Sequence, residues 1–137
     1  MTTQQATRAL LDRYYTAFNA GDAEGMLACL SENVAHDINQ GARETGKAAF
    51  RAFLARMDAA YAETLADIVI MTNADGSRAA AELTVHGQYL KGEEGLPVAH
   101  GQRYLLPAGA FLTMEDGLIA RISVYYNLAD WIAQVSA

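Results

Sequence analysis

The sequence predicts an α+β domain: a curved antiparallel or mixed sheet wrapped around N-terminal helices, making a conical fold that encloses an apolar pocket. Three observations lead there. Helical periodicity recurs up to Tyr61 and strand-like runs fill nearly all that follows, an order that indicates α+β rather than alternating α/β. Those strands succeed one another through short turns, which makes them an antiparallel meander. Pro107 and Gly109 interrupt a run too long to be straight, so a bulge or bend there would curve the sheet around the helices.

Ala6, Leu10, Tyr14, Ala17 and Phe18 recur at spacings of three and four, marking an amphipathic first helix with Thr2 or Thr3 as its cap. "NAGD" closes it, with Gly21 suited to the left-handed position beyond a helix end. Asp22 then caps a short second helix carrying Met26, Leu27 and Leu30. Val34 and Ile38 stand at strand spacing in "NVAHDIN", and Gly41 and Gly46 bracket a hairpin or turn. A third helix carries Phe50, Phe53, Leu54, Met57 and Tyr61 on one stripe. "TLADIVIMT" reads as a buried strand, and the Asp-Gly turn in "NADGS" leads into "RAAAELTVHGQYL". The loop "KGEEGLP" precedes "VAHGQRYLLPAGAFLTM", "EDG" turns into "LIARISVYYN", and "LADWIAQV" closes as a helix.

The 137 residues show no composition break, so one domain spanning 1–137 is expected, long enough to bury a core without disulfides. A net charge of −6 and the lack of Lys/Arg clusters argue against nucleic acid or an anionic membrane as partner. Cys29 is the single cysteine, which excludes an internal disulfide, and its apolar helical setting suits a buried hydrophobe. The first residues lack a basic start and an apolar run, and no stretch reaches the length of a membrane helix, so a soluble cytoplasmic protein is expected.

Phosphate loops, nucleophile elbows and zinc-binding helix motifs are absent, and the spacing of His36, His86 and His100 fits no ligand pair, so neither metal nor cofactor is expected. Polar residues concentrate in "ENVAHDINQG". In a regular strand His36 shares a face with Val34 and Ile38, and Asp37 with Ala35 and Asn39. Facing a pocket, Asp37 would be a desolvated carboxylate with its pKa raised toward the range of a proton-abstracting base; facing water, it is a polar residue near a turn. Tyr14 reads either as a core aromatic or as a phenol polarising a carbonyl. His86 falls on the polar face of its strand. Arg103, if inward, would contact an anion or carbonyl. Tyr125 and Asn127 share a face and either line a cavity mouth or pack on the sheet.

The segment "RYYTAFNAGDAEGMLACLSENVAHDINQG…ETGKAAFRAF" is similar to the start of ketosteroid isomerases. It also resembles the broader SnoaL-like polyketide cyclases of the nuclear-transport-factor-two-like superfamily, and the resemblance extends over essentially the whole chain. It implies Tyr14 as oxyanion donor, anchored on "NAGD", and Asp37 as general base, counted back from "TGKAAF". Gly109 falls where the isomerases carry a second aspartic acid, which would enlarge the pocket and leave His36 or Asn39 to supply other polar contacts. Phe18, Asn39, Phe53, Arg103, Gly109, Tyr125 and Asn127 are then expected around the substrate. The implied activity is cofactor-free proton transfer next to a carbonyl of a small apolar or polycyclic compound, in a homodimer. A non-catalytic binding or dimerisation module, and a hydratase or hydrolase in which Asp37 or His36 activates water, are the alternatives.

Overall fold

The computed structural model describes residues 3–39 and 41–136. Thr2, one of the two expected caps, lies outside them, and Thr3 caps α1 (Gln4–Asn19), its hydroxyl accepting from the Ala6 N–H at 3.0 Å. That helix ends as the "NAGD" stretch predicts. The Asp22 N–H reaches the Ala17 carbonyl at 2.9 Å and the Gly21 N–H that of Phe18 at 3.1 Å, with Gly21 at φ +68°. The Asp22 carboxylate then caps α2 (Ala23–Leu27) by accepting from the Gly25 N–H.

The hairpin of β1 (Leu30–Asp37) and β2 (Arg43–Thr45) leads into α3 (Lys47–Ala60). Four long strands follow: β3 (Tyr61–Thr72), β4 (Arg78–Tyr89), β5 (Arg103–Glu115) and β6 (Leu118–Tyr126), before α4 (Leu128–Val135). Tyr61, expected on the stripe of the third helix, instead opens β3 with extended backbone, pairs with Tyr89 and stacks on its ring.

All six strands form one curved, unclosed sheet in the order β2-β1-β6-β5-β4-β3. Among the described residues only the β1–β6 pair is parallel, so the sheet is mixed, one of the two arrangements expected. The expected break at Pro107–Gly109 does not occur, because the β4–β5 register runs unbroken from Arg78↔Thr113 to Gln88↔Arg103. Its position explains how the proline is tolerated. Leu105, two residues earlier and so pointing its backbone the same way, bonds to the Gln134 side chain on the side where β6 has already ended. Pro107 therefore lacks an N–H where no strand asks for one. The curvature comes instead from register shifts between Ala66 and Val69 of β3, where Asp67 takes φ +54°, and between Thr113 and Met114 of β5.

The inner face carries the core. Ala81, Leu83, Val85 and Tyr89 of β4 and Leu106, Ala110, Leu112 and Met114 of β5 pack with Leu10, Leu11, Leu30, Phe50 and Trp131. Burying each large apolar side chain contributes about 1.5–3 kcal/mol, which holds the helices in the cone. The β3 edge is covered by α1. The Asn19 side chain bonds both the N–H and the carbonyl of Leu65, and Arg8 donates to the Ile70 carbonyl, leaving less edge for another strand to pair with. Among the described residues, no helix is long and apolar enough to cross a membrane.

Candidate functional site

Alternation along β1 turns His36 inward and Asp37 outward. His36 is only 4% exposed, its ring 4.6 Å from that of Phe50 and 4.6 Å edge-on from that of Phe53, both on α3. The Arg56 guanidinium sits 5.4 Å from the Phe53 ring centre. Across the hairpin, Glu44 is the register partner of His36, so its side chain shares the inner face. His36 Nδ1 and Glu44 Oε1 are both buried and have no hydrogen-bond partner among the described residues. Burial lowers the His36 pKa; Glu44 and Asp37 pull it back up, and Arg56 lowers it. The imidazole is thus neutral near pH 7, with a free nitrogen in an aromatic slot.

Asp37 is not the desolvated base that the sequence suggested. Arg43 grips its two oxygens at 2.7 and 3.1 Å, and the buried Ser123 hydroxyl donates at 2.5 Å, itself accepting from Arg121 at 2.6 Å. Hydrogen bonds from Arg43 and then Ser123 outweigh burial and hold the carboxyl at about 2, where a raised value was expected. A carboxylate so fully engaged on the outer face is a structural clasp joining β1, β2 and β6.

The other expected site residues scatter. Phe53 joins His36. Asn39 accepts from the Tyr126 N–H at 3.1 Å and ties the end of β1 to β6. Tyr14 is buried edge-on against Tyr15, its rings' centres 5.1 Å apart, and no hydrogen bond links it to His36, Asp37 or Asn39 among the described residues. Burial raises its pKa and keeps the phenol protonated. Phe18 is half-buried against the core. Arg103, Gly109 and Tyr125 do not line the interior: strand parity puts all three on the outer face, where Gly109 pairs with Glu82 and Tyr125. Asn127 caps α4, its side chain accepting from the Asp130 N–H. The outer face holds a groove of about 560 Å³ whose lining includes Asp67, Met71, Glu82, Gly109, Phe111 and Tyr125.

Sequence reasoning missed Glu44. Pairing residues 36 and 44 around the "INQGA" turn would have found it, since a hairpin register puts directly opposed residues on one face. No three of His, Cys, Asp and Glu converge as a metal site among the described residues.

The model of the SnoaL-like domain matches residues 11–122. The chain belongs to the SnoaL-like family. Two solved structures, each named as a candidate polyketide cyclase, align with this SnoaL-like domain over nearly its whole length. One, from Pseudomonas putida KT2440, is 62% identical, with 98% of each chain covered and a TM-score of 0.92. The other, from Silicibacter sp. TM1040, is 54% identical, with 100% of this chain and 99% of that one covered and a TM-score of 0.95. A nuclear-transport-factor-two-like protein from Burkholderia xenovorans LB400 shares the fold at 15% identity, with a TM-score of 0.77 over 98% of this chain and 99% of that one. No match is found among curated proteins. The fold of this SnoaL-like chain is of the cyclase and isomerase type.

Proposed function

We propose that this SnoaL-like protein is a small-molecule enzyme that moves a proton next to a carbonyl without a cofactor, with His36 as its base. The observation that carries the reading is the Nδ1 of a neutral His36, without a hydrogen-bond partner among the described residues and walled by Phe50 and Phe53 with Glu44 beside it. A neutral imidazole nitrogen can take a proton, the Glu44 carboxylate favours the imidazolium that results, and the aromatic walls keep water away. Tyr14, protonated and buried, is kept as the donor to the substrate oxygen that the family resemblance implies.

The names of the two close relatives favour a polyketide-like substrate, an apolar compound with several carbonyls. His36 would remove a proton from carbon next to a carbonyl. The enolate would attack a second carbonyl carbon of the same molecule, forming a carbon–carbon bond, and the new alkoxide would take a proton back. Returning the proton to a different carbon of an unsaturated ketone would be isomerisation by the same group. The test is turnover of an aromatic β-keto ester that carries a further ketone at ring-forming distance, and of a Δ5-3-ketosteroid. His36→Gln is expected to lower kcat by roughly 10²–10⁴; wild-type turnover in that variant would remove His36 as the base.

A second copy of the chain on the outer face is a separate part of the proposal. There Met71, Ala80 and Phe111 form one cross-strand row, and Val69, Glu82, Gly109 and Tyr125 the next, with Phe111 and Tyr125 in edge-on contact. Val69, Met71, Phe111 and Tyr125 are all exposed around Glu82, a largely apolar surface of the kind that marks an interaction site.

A further inference from the structure

Glu63, Gly87 and Tyr104 form one row across β3, β4 and β5. A Cβ on Gly87 would lie 2.2 Å from the Tyr104 ring, so the phenol can lie over β4 only because that position has no side chain. The Tyr104 hydroxyl reaches past it and donates to Glu63 Oε2 at 2.5 Å. The ring is held on its other side by Trp131, 6.0 Å away edge-on, and Trp131 in turn packs on Tyr89 at 4.9 Å and Tyr61 at 6.1 Å.

Glu63 is solvent-exposed, while its carboxyl end lies among protein atoms beside the Tyr104 hydroxyl. Among the described residues it has no ion-pair partner, and Tyr104 is its one hydrogen-bond partner. The titratable groups that face it are Tyr61 on its own strand, Tyr104 on β5, Tyr126 on β6 and, close to these, Glu93 in the β4–β5 loop. All are phenols or carboxyls, so among the described residues no cation holds Glu63 ionised. Burial raises its pKa, and the Tyr104 bond only partly offsets that.

We propose that Glu63 is a second proton-transfer group of this protein, positioned by Tyr104 across Gly87, that exchanges protons between solvent and a molecule bound on the inner face. In the donating direction the Glu63 O–H bond breaks and the proton passes to an atom of the bound molecule gaining negative charge. The carboxylate left behind accepts the Tyr104 hydroxyl and is reprotonated by water. The acid and the open solvent side are what His36 lacks, enclosed as it is between two phenylalanines. The inference rests on the proton-transfer reading for the substrate class alone, because the Glu63–Tyr104 pair titrates with or without substrate.

Carbon-13 NMR of the glutamate carboxyls in the full chain, with Glu63→Gln assigning the signal, tests the pair directly. Glu63 is expected to titrate above its ordinary value of 4.5, and higher still in Tyr104→Phe, which loses the bond favouring the ionised form. Titration at or below 4.5, or no shift in Tyr104→Phe, would overturn the inference. In turnover, Glu63→Gln is expected to lower kcat by roughly 10²–10⁴ with partial rescue in Glu63→Asp. The pH limb of kcat should move in Tyr104→Phe along with the carboxyl, which a merely structural tyrosine would not cause. Loss in Glu63→Gln with His36→Gln unaffected would uphold Glu63 and remove His36. Loss in His36→Gln alone would do the reverse. Should Glu63→Gln not fold, the titration of the wild type and of Tyr104→Phe decides.

Discussion

Glu44 stands directly across the β1–β2 hairpin from His36, and each presents to the inner face one buried atom without a partner among the described residues. Glu44 is the strongest of the charges that raise the His36 pKa against the lowering effect of burial. Glu44→Gln is therefore expected to move His36 protonation to lower pH, followed by proton NMR of the imidazole. A titration identical to wild type would disconnect the two residues. Because the folded-state pKa lies below the ordinary 6.5, the stability linked to neutral His36 is fully present above 6.5. It is lost as pH falls through the folded value, and His36→Gln should flatten that part of the thermal-midpoint curve.

Asp37 is expected to matter for stability and not for turnover. Its carboxyl is lowered from 3.8 to about 2 by Arg43 and Ser123, so its contribution is present above pH 3.8 and disappears as pH falls through about 2. Asp37→Asn should lower the thermal midpoint by roughly 2–4 °C at neutral pH. The gap between wild type and variant should close toward pH 2, while kcat stays at the wild-type level. A large loss of kcat with an unchanged melting temperature would restore Asp37 as the base.

Gly87 is a packing requirement of the Tyr104 ring. Gly87→Ala would put a methyl group 2.2 Å from that ring, and overfilling of this kind costs about 1–3 kcal/mol in chemical denaturation. The same substitution should separate Tyr104 from Glu63. Full stability in Gly87→Ala would mean that the ring has another place to go.

Trp131 joins α4 to the sheet by edge-on contacts with Tyr61, Tyr89 and Tyr104, and is 4% exposed. Removing such a side chain costs about 3–5 kcal/mol. Trp131→Ala is expected to lose that much in urea unfolding. A loss under 1 kcal/mol would show that α4 docks by other means.

The proposed pairing of two chains is checked by light scattering of Phe111→Glu. Phe111 is half-exposed on the outer face, so a carboxylate there should leave the fold intact and halve the particle mass. A wild-type protein that scatters as a monomer at micromolar concentration would remove the second copy.

Local signals were legible in the residues themselves. The cap at Asp22, the left-handed Gly21 and the period of α1 depend on interactions within a few residues, and each came out as read. "TLADIVIMT", expected as a buried strand, is instead the β3 edge of the sheet, with Val69 and Met71 exposed. The break at Pro107 did not come out as read, because a proline disturbs a ladder only where a partner strand needs its N–H, and the end of β6 is a tertiary fact. Alternation placed His36 and Asp37 on opposite faces but left open which face was inside.

That choice belonged to the sheet. Once β1 paired with β6 and β2, Asp37 lay beside Ser123 and Arg43, which give the carboxylate charge-assisted bonds that apolar walls do not supply. His36, able to be neutral, took the buried side. Local periodicity settled which elements exist, because it needs only neighbouring residues. Partners far apart along the chain, such as Asp37 with Ser123 or Glu63 with Tyr104, were decided by strand order and register, which come into being only when the whole sheet assembles.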